Sequence, residues 1–285
     1  MPLRESPAEG ACSLPAERGS WRHELRVQLG LVLPVLLSQI ALMSLGMADT
    51  VMTGHAGPLD MPAVALGVSL WQPILLFGQG VVMAVTPAVA QLRGQGRLED
   101  AGQVLRQGLW LAGLISLPVM GLVLFLSHHL SLLGIEGELA GITGSYLRAL
   151  LPGAPAWLLF VAFRSAMEGF SRVRPAMAAS LAAVAVNIPG NWIFIFGKCG
   201  FPAMGGVGAG LASSITCWVM LAVIAGFALH MPDFRRFLSA AEGPKWEAVG
   251  RIARVGFPGA LALLCEVSFF SLVAILLVPF GPIEV

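Results

Sequence analysis

Long apolar stretches constrain the fold of this chain more than any other feature. The segment from Met61 to Leu92, for example, contains no Asp, Glu, Lys or Arg. The hydrocarbon core of a bilayer is about 30 Å thick, so a helix needs about 20 apolar residues to cross it. Seven stretches meet this requirement, and we predict spans at 27–53, 62–90, 104–127, 141–163, 175–197, 207–230 and 255–280. The predicted fold class is all-α, a polytopic membrane protein.

The overall composition agrees with this class and excludes others. Of the 285 residues, 56% are hydrophobic and only 12% are charged, whereas a soluble domain needs far more polar surface. The formal net charge is +1, so there is no basic field for nucleic acid and we expect no nucleic-acid partner. Residues 1–26 are polar and lack the apolar segment of a secretory signal peptide, so we predict a cytoplasmic polar leader there.

The basic residues are distributed unequally between the two sides of the predicted membrane map. Of the 17 Lys and Arg residues, all but Arg148 and Lys198 lie on the side of the N-terminus, in the leader or near the 2–3, 4–5 and 6–7 connections. Cytoplasmic loops carry an excess of Lys and Arg, which predicts a cytoplasmic N-terminus. A wrong number of spans would scramble this asymmetry, so it also supports the map.

Prolines within the predicted spans indicate bent helices. Pro34, Pro189 and Pro258 lie deep in their spans, whereas Pro152 and Pro279 lie where a proline can cap a helix. Proline removes a backbone donor and clashes with the preceding turn. In a membrane, the freed carbonyl groups must face protein or a water-filled cavity. Such helices are more typical of transporters than of simple membrane anchors.

The first and seventh spans show a weak internal repeat. Alignment of Pro34 with Pro258 also places Gly57 on Gly281. We therefore expect the seventh span to open a second copy of a six-helix unit, in a twelve-helix protein of which this sequence is a part. The predicted domains are the leader 1–26, a six-helix lobe 27–230, a cytoplasmic inter-lobe linker 231–254 and the start of a second lobe at 255–285.

Two carboxylates lie within predicted spans. A charged side chain at the centre of a span costs about 2.5–3.5 kcal/mol on insertion scales, so such residues usually serve a function. Glu266 lies near the middle of the seventh span among apolar neighbours, where it could exchange a proton or hold a cation. Asp49 lies in the outer third of the first span. The alternative for Asp49 is an interfacial acid that caps the helix end or reaches water.

Two amides share one face of the fifth predicted span. Asn187 and Asn191 are one helical turn apart. They could hydrogen-bond neighbouring helices simply as packing contacts. They could equally polarise a site that includes Asp49. The residues alone leave both interpretations open.

Three motifs resemble those of the multidrug and toxic compound extrusion (MATE) transporters, in the NorM-like branch. They are MADTVMTG at 47–54 in the first span, TPAVAQLRGQGR at 86–97 after the second, and NIPGNWIF at 187–194 in the fifth. Glu266 fits the acid of the seventh helix in that branch. Asn191 stands where the DinF-like branch has an aspartate, which favours the NorM-like type.

This resemblance implies a function as well as an architecture. It implies twelve helices in two six-helix lobes around a central cleft, and export of varied, often cationic drugs against an inward flow of H⁺ or Na⁺. Asp49 and Asn187 match polar cation-linked positions of the first lobe, and Glu266 matches the acid of the second. We expect a bacterial inner-membrane protein that is monomeric at full length and needs no cofactor, with H⁺ or Na⁺ as the coupling ion. Without a second lobe, the chain as given should not transport.

Two other functions remain as alternatives. A flippase for lipid-linked oligosaccharides or polysaccharides, from the same superfamily, would need basic residues within the spans to bind pyrophosphate, and the sequence has few there. A membrane-embedded enzyme would need a nucleophile–base pair or a metal cluster within the spans. The spans contain neither pattern, so we expect no enzymatic activity.

Overall fold

The computed structural model describes residues 21–239 and 243–277. This part of the chain forms ten α-helices and one short 3₁₀ turn at Leu130–Leu133, with no strand. The helices are α1 Trp21–Gly54, α2 Asp60–Met83, α3 Val85–Gly94, α4 Leu98–His128, α5 Gly137–Leu150, α6 Gly153–Gly169, α7 Arg174–Phe196, α8 Gly206–His230, α9 Pro232–Ser239 and α10 Trp246–Leu277. The all-α prediction is therefore confirmed.

The long helices follow the predicted spans. In the described residues, 6 helices are long and apolar enough to cross a membrane, or up to 7 if a bent pair is one span. That pair is α5 and α6, which meet at 44° within the predicted fourth span. The predicted second span contains a break between α2 and α3 at Ala84. Most of the predicted leader (1–20), part of the linker (240–242) and the end of the chain (278–285) lie outside the described residues.

Proline explains where the two broken spans are interrupted. Pro87 has no N–H to donate to the carbonyl of Met83, and its ring crowds that carbonyl. The helix accordingly breaks between Met83 and Val85. In the fourth span, Pro152 directly precedes α6, so it caps a helix as predicted, but at a bend within the span. Pro34, by contrast, lies inside the continuous helix α1.

Helix α8 lies at the centre of the bundle, where it packs against α5, α6 and α7. Small residues allow these helices to approach closely, as is common in membrane bundles. A Cβ atom added to Gly208 of α8 would lie 2.5 Å from the backbone carbonyl of Phe194 in α7. One added to Gly210 would lie 2.9 Å from the carbonyl oxygen of Tyr146 in α5. These contacts determine how α8 is positioned against its neighbours.

The predicted linker contains more regular structure than its polarity suggests. Helix α9 lies within it, and α10 begins at Trp246, well before the predicted start of the seventh span. Phe234 and Phe237 of α9 are buried against Phe170, with ring centroids 5.2 and 5.8 Å away. Beyond α9, the backbone N–H of Lys245 donates to Oε1 of the buried Gln107 at 2.7 Å. The linker is thus attached to the bundle on both sides of residues 240–242.

Candidate functional site

The carboxyl group of Asp49 is the point at which three helices meet. It lies on α1, near the C-terminal end of that helix, and is half-buried. Its Oδ1 accepts a hydrogen bond from Nδ2 of Asn191 on α7 at 2.6 Å. Its Oδ2 accepts one from Oγ of Ser213 on α8 at 2.8 Å. Both carboxyl oxygens therefore have a neutral donor from a different helix.

The two amides of α7 form a buried pair beside this carboxyl group. Nδ2 of Asn191 also donates to Oδ1 of Asn187, at 3.1 Å, as the spacing of one helical turn allows. Asn187 is 1% exposed and Asn191 is 0% exposed. The Oδ1 atom of Asn191 is buried and has no hydrogen-bond partner among the described residues. A buried acceptor left without a donor costs about 1–3 kcal/mol, so this atom is available to an additional ligand.

Helix packing holds these groups together. Helix α7 packs along both α1 and α8. The close contact of Gly208 with the Phe194 carbonyl brings the start of α8 against the end of α7. Ser213 lies farther along α8 and reaches Asp49. On α1, Thr53 Oγ1 donates to the Asp49 carbonyl oxygen at 2.7 Å, so that hydroxyl group is satisfied within its own helix.

No basic side chain balances the charge of Asp49 within the described ranges. The ion pairs there join Arg97 to Asp100, Arg164 to Glu168 and Arg236 to Glu99, each at 2.7 Å and none involving Asp49. A carboxylate removed from bulk water needs a compensating proton or cation, because neutral hydrogen bonds compensate its charge only in part. The oxygen-rich arrangement around Asp49 can therefore exchange a proton or hold a small hard cation.

A cavity of about 470 Å³ opens beside Asp49. Its polar and aromatic lining residues are Gln39, Asp49, Trp71, Gln72, Gln79, Tyr146, Trp157, Ser213 and Cys217. The indole Nε1 of Trp157 donates to Oε1 of Gln79 at 3.0 Å, which joins α6 to α2 across the cavity wall. Asp49 is the only charged residue in the described lining, and the lining residues not named above are apolar. Cavities of this size and character are typical of small-molecule sites.

Comparison with known proteins identifies the family. The MatE family model matches residues 34–193, more than half of the chain and a range that contains Asp49 and both asparagines. The chain belongs to the MATE transporter family. It is 40% identical over 267 residues to the multidrug resistance protein NorM of Vibrio parahaemolyticus. The aligned region covers 93% of this chain and 59% of the NorM sequence. The chain thus spans well under two thirds of the length of this relative.

Solved MATE structures share the fold. An outward-facing multidrug resistance MATE family transporter has a TM-score of 0.72 at 25% identity, and the match covers 82% of this chain and 51% of the transporter. A eukaryotic MATE transporter has a TM-score of 0.77 at 20% identity, and the match covers 89% of this chain and 56% of the transporter. The described helices therefore adopt the architecture of about half of a MATE transporter.

Among the described helices, the structure brings together three of the four residues singled out in the sequence. Asp49, Asn187 and Asn191 form the cluster described above. Glu266 lies on α10, where its side chain is exposed and forms no hydrogen bond or ion pair with any described residue. Sequence reasoning missed Ser213, because Ser and Thr hydroxyls in membrane helices commonly bond to their own backbone and attract little notice. Nothing in the local sequence distinguishes Ser213 from its neighbour Ser214.

Proposed function

We propose that this chain provides the Asp49-containing lobe of a multidrug efflux antiporter that exports varied, often cationic, organic compounds in exchange for H⁺ or Na⁺. The observation that carries the proposal is the Asp49 carboxyl group, held only by neutral donors at the edge of a cavity. The 40% identity to a multidrug resistance protein NorM supports multidrug compounds as the substrates. The family membership supports transport as the activity.

The exchange of drug for H⁺ or Na⁺ depends on the charge state of Asp49. A proton or Na⁺ bound at Asp49 neutralises the carboxylate, so the lobe can expose this region to lipid or to a dry interface at lower free energy. A cationic drug in the adjoining cavity is attracted to the ionised carboxylate, and it loses this attraction once a proton or Na⁺ has neutralised the carboxylate. Binding of the ion then favours release of the drug, and a rocking movement of two lobes would carry each to the opposite side. Glu266 would serve as a second coupling acid.

The lining of the cavity favours drug export over the flippase alternative. A pyrophosphate-linked lipid would need Lys or Arg in the site. The described lining contains neither, and its single charge is negative. Tryptophan and tyrosine rings, as at Trp71, Tyr146 and Trp157, are suited to flat apolar groups and to cations.

Efflux of a fluorescent organic cation such as ethidium tests the proposal. Cells that express the protein from its native gene should lose active efflux when Asp49 is replaced by Asn, because the amide keeps the size of the side chain but cannot be ionised. Asp100→Asn is a matched control, since Asp100 is a surface acid paired with Arg97. Equal loss in both variants, or unchanged efflux in Asp49→Asn at normal expression, would reject Asp49 as the coupling residue.

Everted vesicles identify the coupling ion and the second acid. Drug uptake is measured with and without Na⁺ at a fixed proton gradient, which separates Na⁺ from H⁺ coupling. Glu266→Gln is expected to lower coupled uptake, and unchanged uptake at normal expression would exclude Glu266.

The proposed orientation in the bacterial inner membrane can be tested with Cys199. This residue is exposed in the connection between α7 and α8, which the arginine distribution places outside. A membrane-impermeant maleimide should label Cys199 in intact cells, and the signal should disappear in Cys199→Ser. Labelling only after the cells are opened would reverse the proposed topology.

A further inference from the structure

The short helix α9 presents a basic groove at the end of a membrane span. The extended backbone of Met231 ends α8 and redirects the chain into α9. A groove of about 680 Å³ follows this junction, lined by Leu229, His230, Pro232, Arg235, Arg236 and Ser239. The opposite face of α9 is anchored in the bundle through its two buried phenylalanines. The basic face is therefore held in place by core packing.

One arginine side chain in the groove has no partner among the described residues, and another is held by an ion pair. The side chain of Arg235 is exposed, and its guanidinium group forms no ion pair or hydrogen bond with a described residue. Arg236 pairs with Glu99 of α4 at 2.7 Å through one terminal nitrogen. Each guanidinium group carries five N–H donors, so Arg236 keeps donors for a further acceptor. Asp233, also on α9, is not among the residues that line the groove. The free donors and the uncompensated charge of Arg235 favour an anionic ligand.

The neighbouring surface indicates that this ligand has an apolar part. Leu229, in the last turn of α8, is 56% exposed and lines the groove beside the arginines. Phe227 is exposed in the same turn. This apolar end of α8 next to guanidinium donors is what a phospholipid requires, because its acyl chains are apolar and its headgroup accepts hydrogen bonds. The arginine distribution assigns this side to the cytoplasm, where anionic lipids attract basic residues close to the membrane surface.

We propose that this groove binds the headgroup of an anionic phospholipid. The phosphate oxygens accept hydrogen bonds from the guanidinium groups of Arg235 and Arg236, in the fork geometry that arginine offers to phosphate. The Ser239 hydroxyl, which donates to the Arg236 carbonyl at 2.9 Å, can accept a hydrogen bond from a headgroup hydroxyl. One acyl chain lies along the exposed end of α8, over Leu229. The bound lipid would link α8, α9 and α4 through the Arg236–Glu99 pair.

Native mass spectrometry of the purified chain, with phosphatidylglycerol as the probe, tests this site. The wild type should retain phosphatidylglycerol through detergent exchange, whereas phosphatidylcholine should be lost. One basic residue near a membrane surface contributes about fivefold in affinity for anionic lipid, so Arg235→Gln should weaken retention about fivefold. Arg254→Gln is the matched control, because Arg254 is exposed near the same membrane boundary and does not line the groove.

The competing outcomes are distinguishable. Equal retention in the two arginine variants would show that general surface charge, not this groove, holds the lipid. Displacement of phosphatidylglycerol by millimolar inorganic phosphate would indicate a site for soluble anions and overturn the lipid assignment. A helical circular dichroism spectrum for Arg235→Gln that matches the wild type ensures that lost retention does not arise from unfolding. Since the readout is lipid binding, it is independent of drug efflux.

Discussion

Substitution of Gly208 by alanine should destabilise the contact that places α8 against α7. The new Cβ atom would lie 2.5 Å from both the carbonyl carbon and the carbonyl oxygen of Phe194, and 2.8 Å from the Ile195 nitrogen. Ordinary contact begins at 3.4 Å. The two helices must therefore separate by about 1 Å, because backbone atoms cannot rotate away as a flexible side chain can. Overpacking of this kind costs about 1–3 kcal/mol.

Gly226 of the same helix offers the control. An added Cβ atom at this position meets nothing within 4 Å. Alanine is a better helix former than glycine by up to about 1 kcal/mol, and both variants share this gain. The difference between them, about 1–3 kcal/mol, therefore isolates the packing cost at Gly208.

Thermal unfolding of the purified chain in detergent, followed by circular dichroism, measures this difference. Gly208→Ala should melt below the wild type, and Gly226→Ala at or above it. If Gly208→Ala were as stable as Gly226→Ala, the close approach of α7 and α8 would be wrong, and with it the placement of the α8 hydroxyl groups.

Three further predictions concern side-chain hydrogen bonds. Asp60→Ala should lower the free energy of unfolding by about 1–2 kcal/mol in the same assay, because Asp60 Oδ1 accepts a hydrogen bond from the first N–H of α8 at 2.6 Å. Asp60→Asn keeps an acceptor, so its loss of stability should be smaller. Gln107→Leu removes both side-chain hydrogen bonds to the segment 243–245, so tryptic cleavage there should become faster, and an unchanged cleavage rate would contradict the attachment. Ser213→Ala removes one of two donors to Asp49 and should reduce ion-coupled efflux, with recovery in Ser213→Thr, which retains the hydroxyl.

The spans could be predicted because the membrane imposes a simple local requirement. Every backbone group within the bilayer must be hydrogen-bonded internally, so a long apolar stretch has little choice but to form a helix. The predicted segments at 104–127, 175–197 and 207–230 accordingly fall within or nearly coincide with α4, α7 and α8. Helix bounds in the polar regions were harder to predict, and α10 begins well before 255, because polar residues at helix ends have several ways to satisfy their backbone.

The effect of each proline was not predictable from its position alone. Pro34 lies within a continuous helix, whereas the helix is interrupted at Ala84, three residues before Pro87. Each proline removes the same hydrogen bond and introduces the same clash. Whether the helix bends, breaks or continues depends on the partners that neighbouring helices offer to the freed carbonyl group.

For the candidate site, too, the sequence was sufficient to predict some features and insufficient for others. Local sequence was sufficient to single out Asp49, because a carboxylate in an apolar stretch carries a large desolvation cost wherever the helices pack. The spacing of Asn187 and Asn191 was sufficient to place them on one face. The resemblance of the 47–54, 86–97 and 187–194 motifs indicated the family, which the comparisons confirm.

Only the tertiary structure decided that these groups meet. Periodicity along one helix carries no information about which helix it faces, so Asn191 could have been a packing residue remote from Asp49. The hydrogen bonds across α1, α7 and α8, the participation of Ser213 and the adjoining cavity depend on interhelical distances. Close contacts such as that of Gly208 set these distances. Bilayer insertion acts on each segment separately, whereas the site exists only once the segments have packed together.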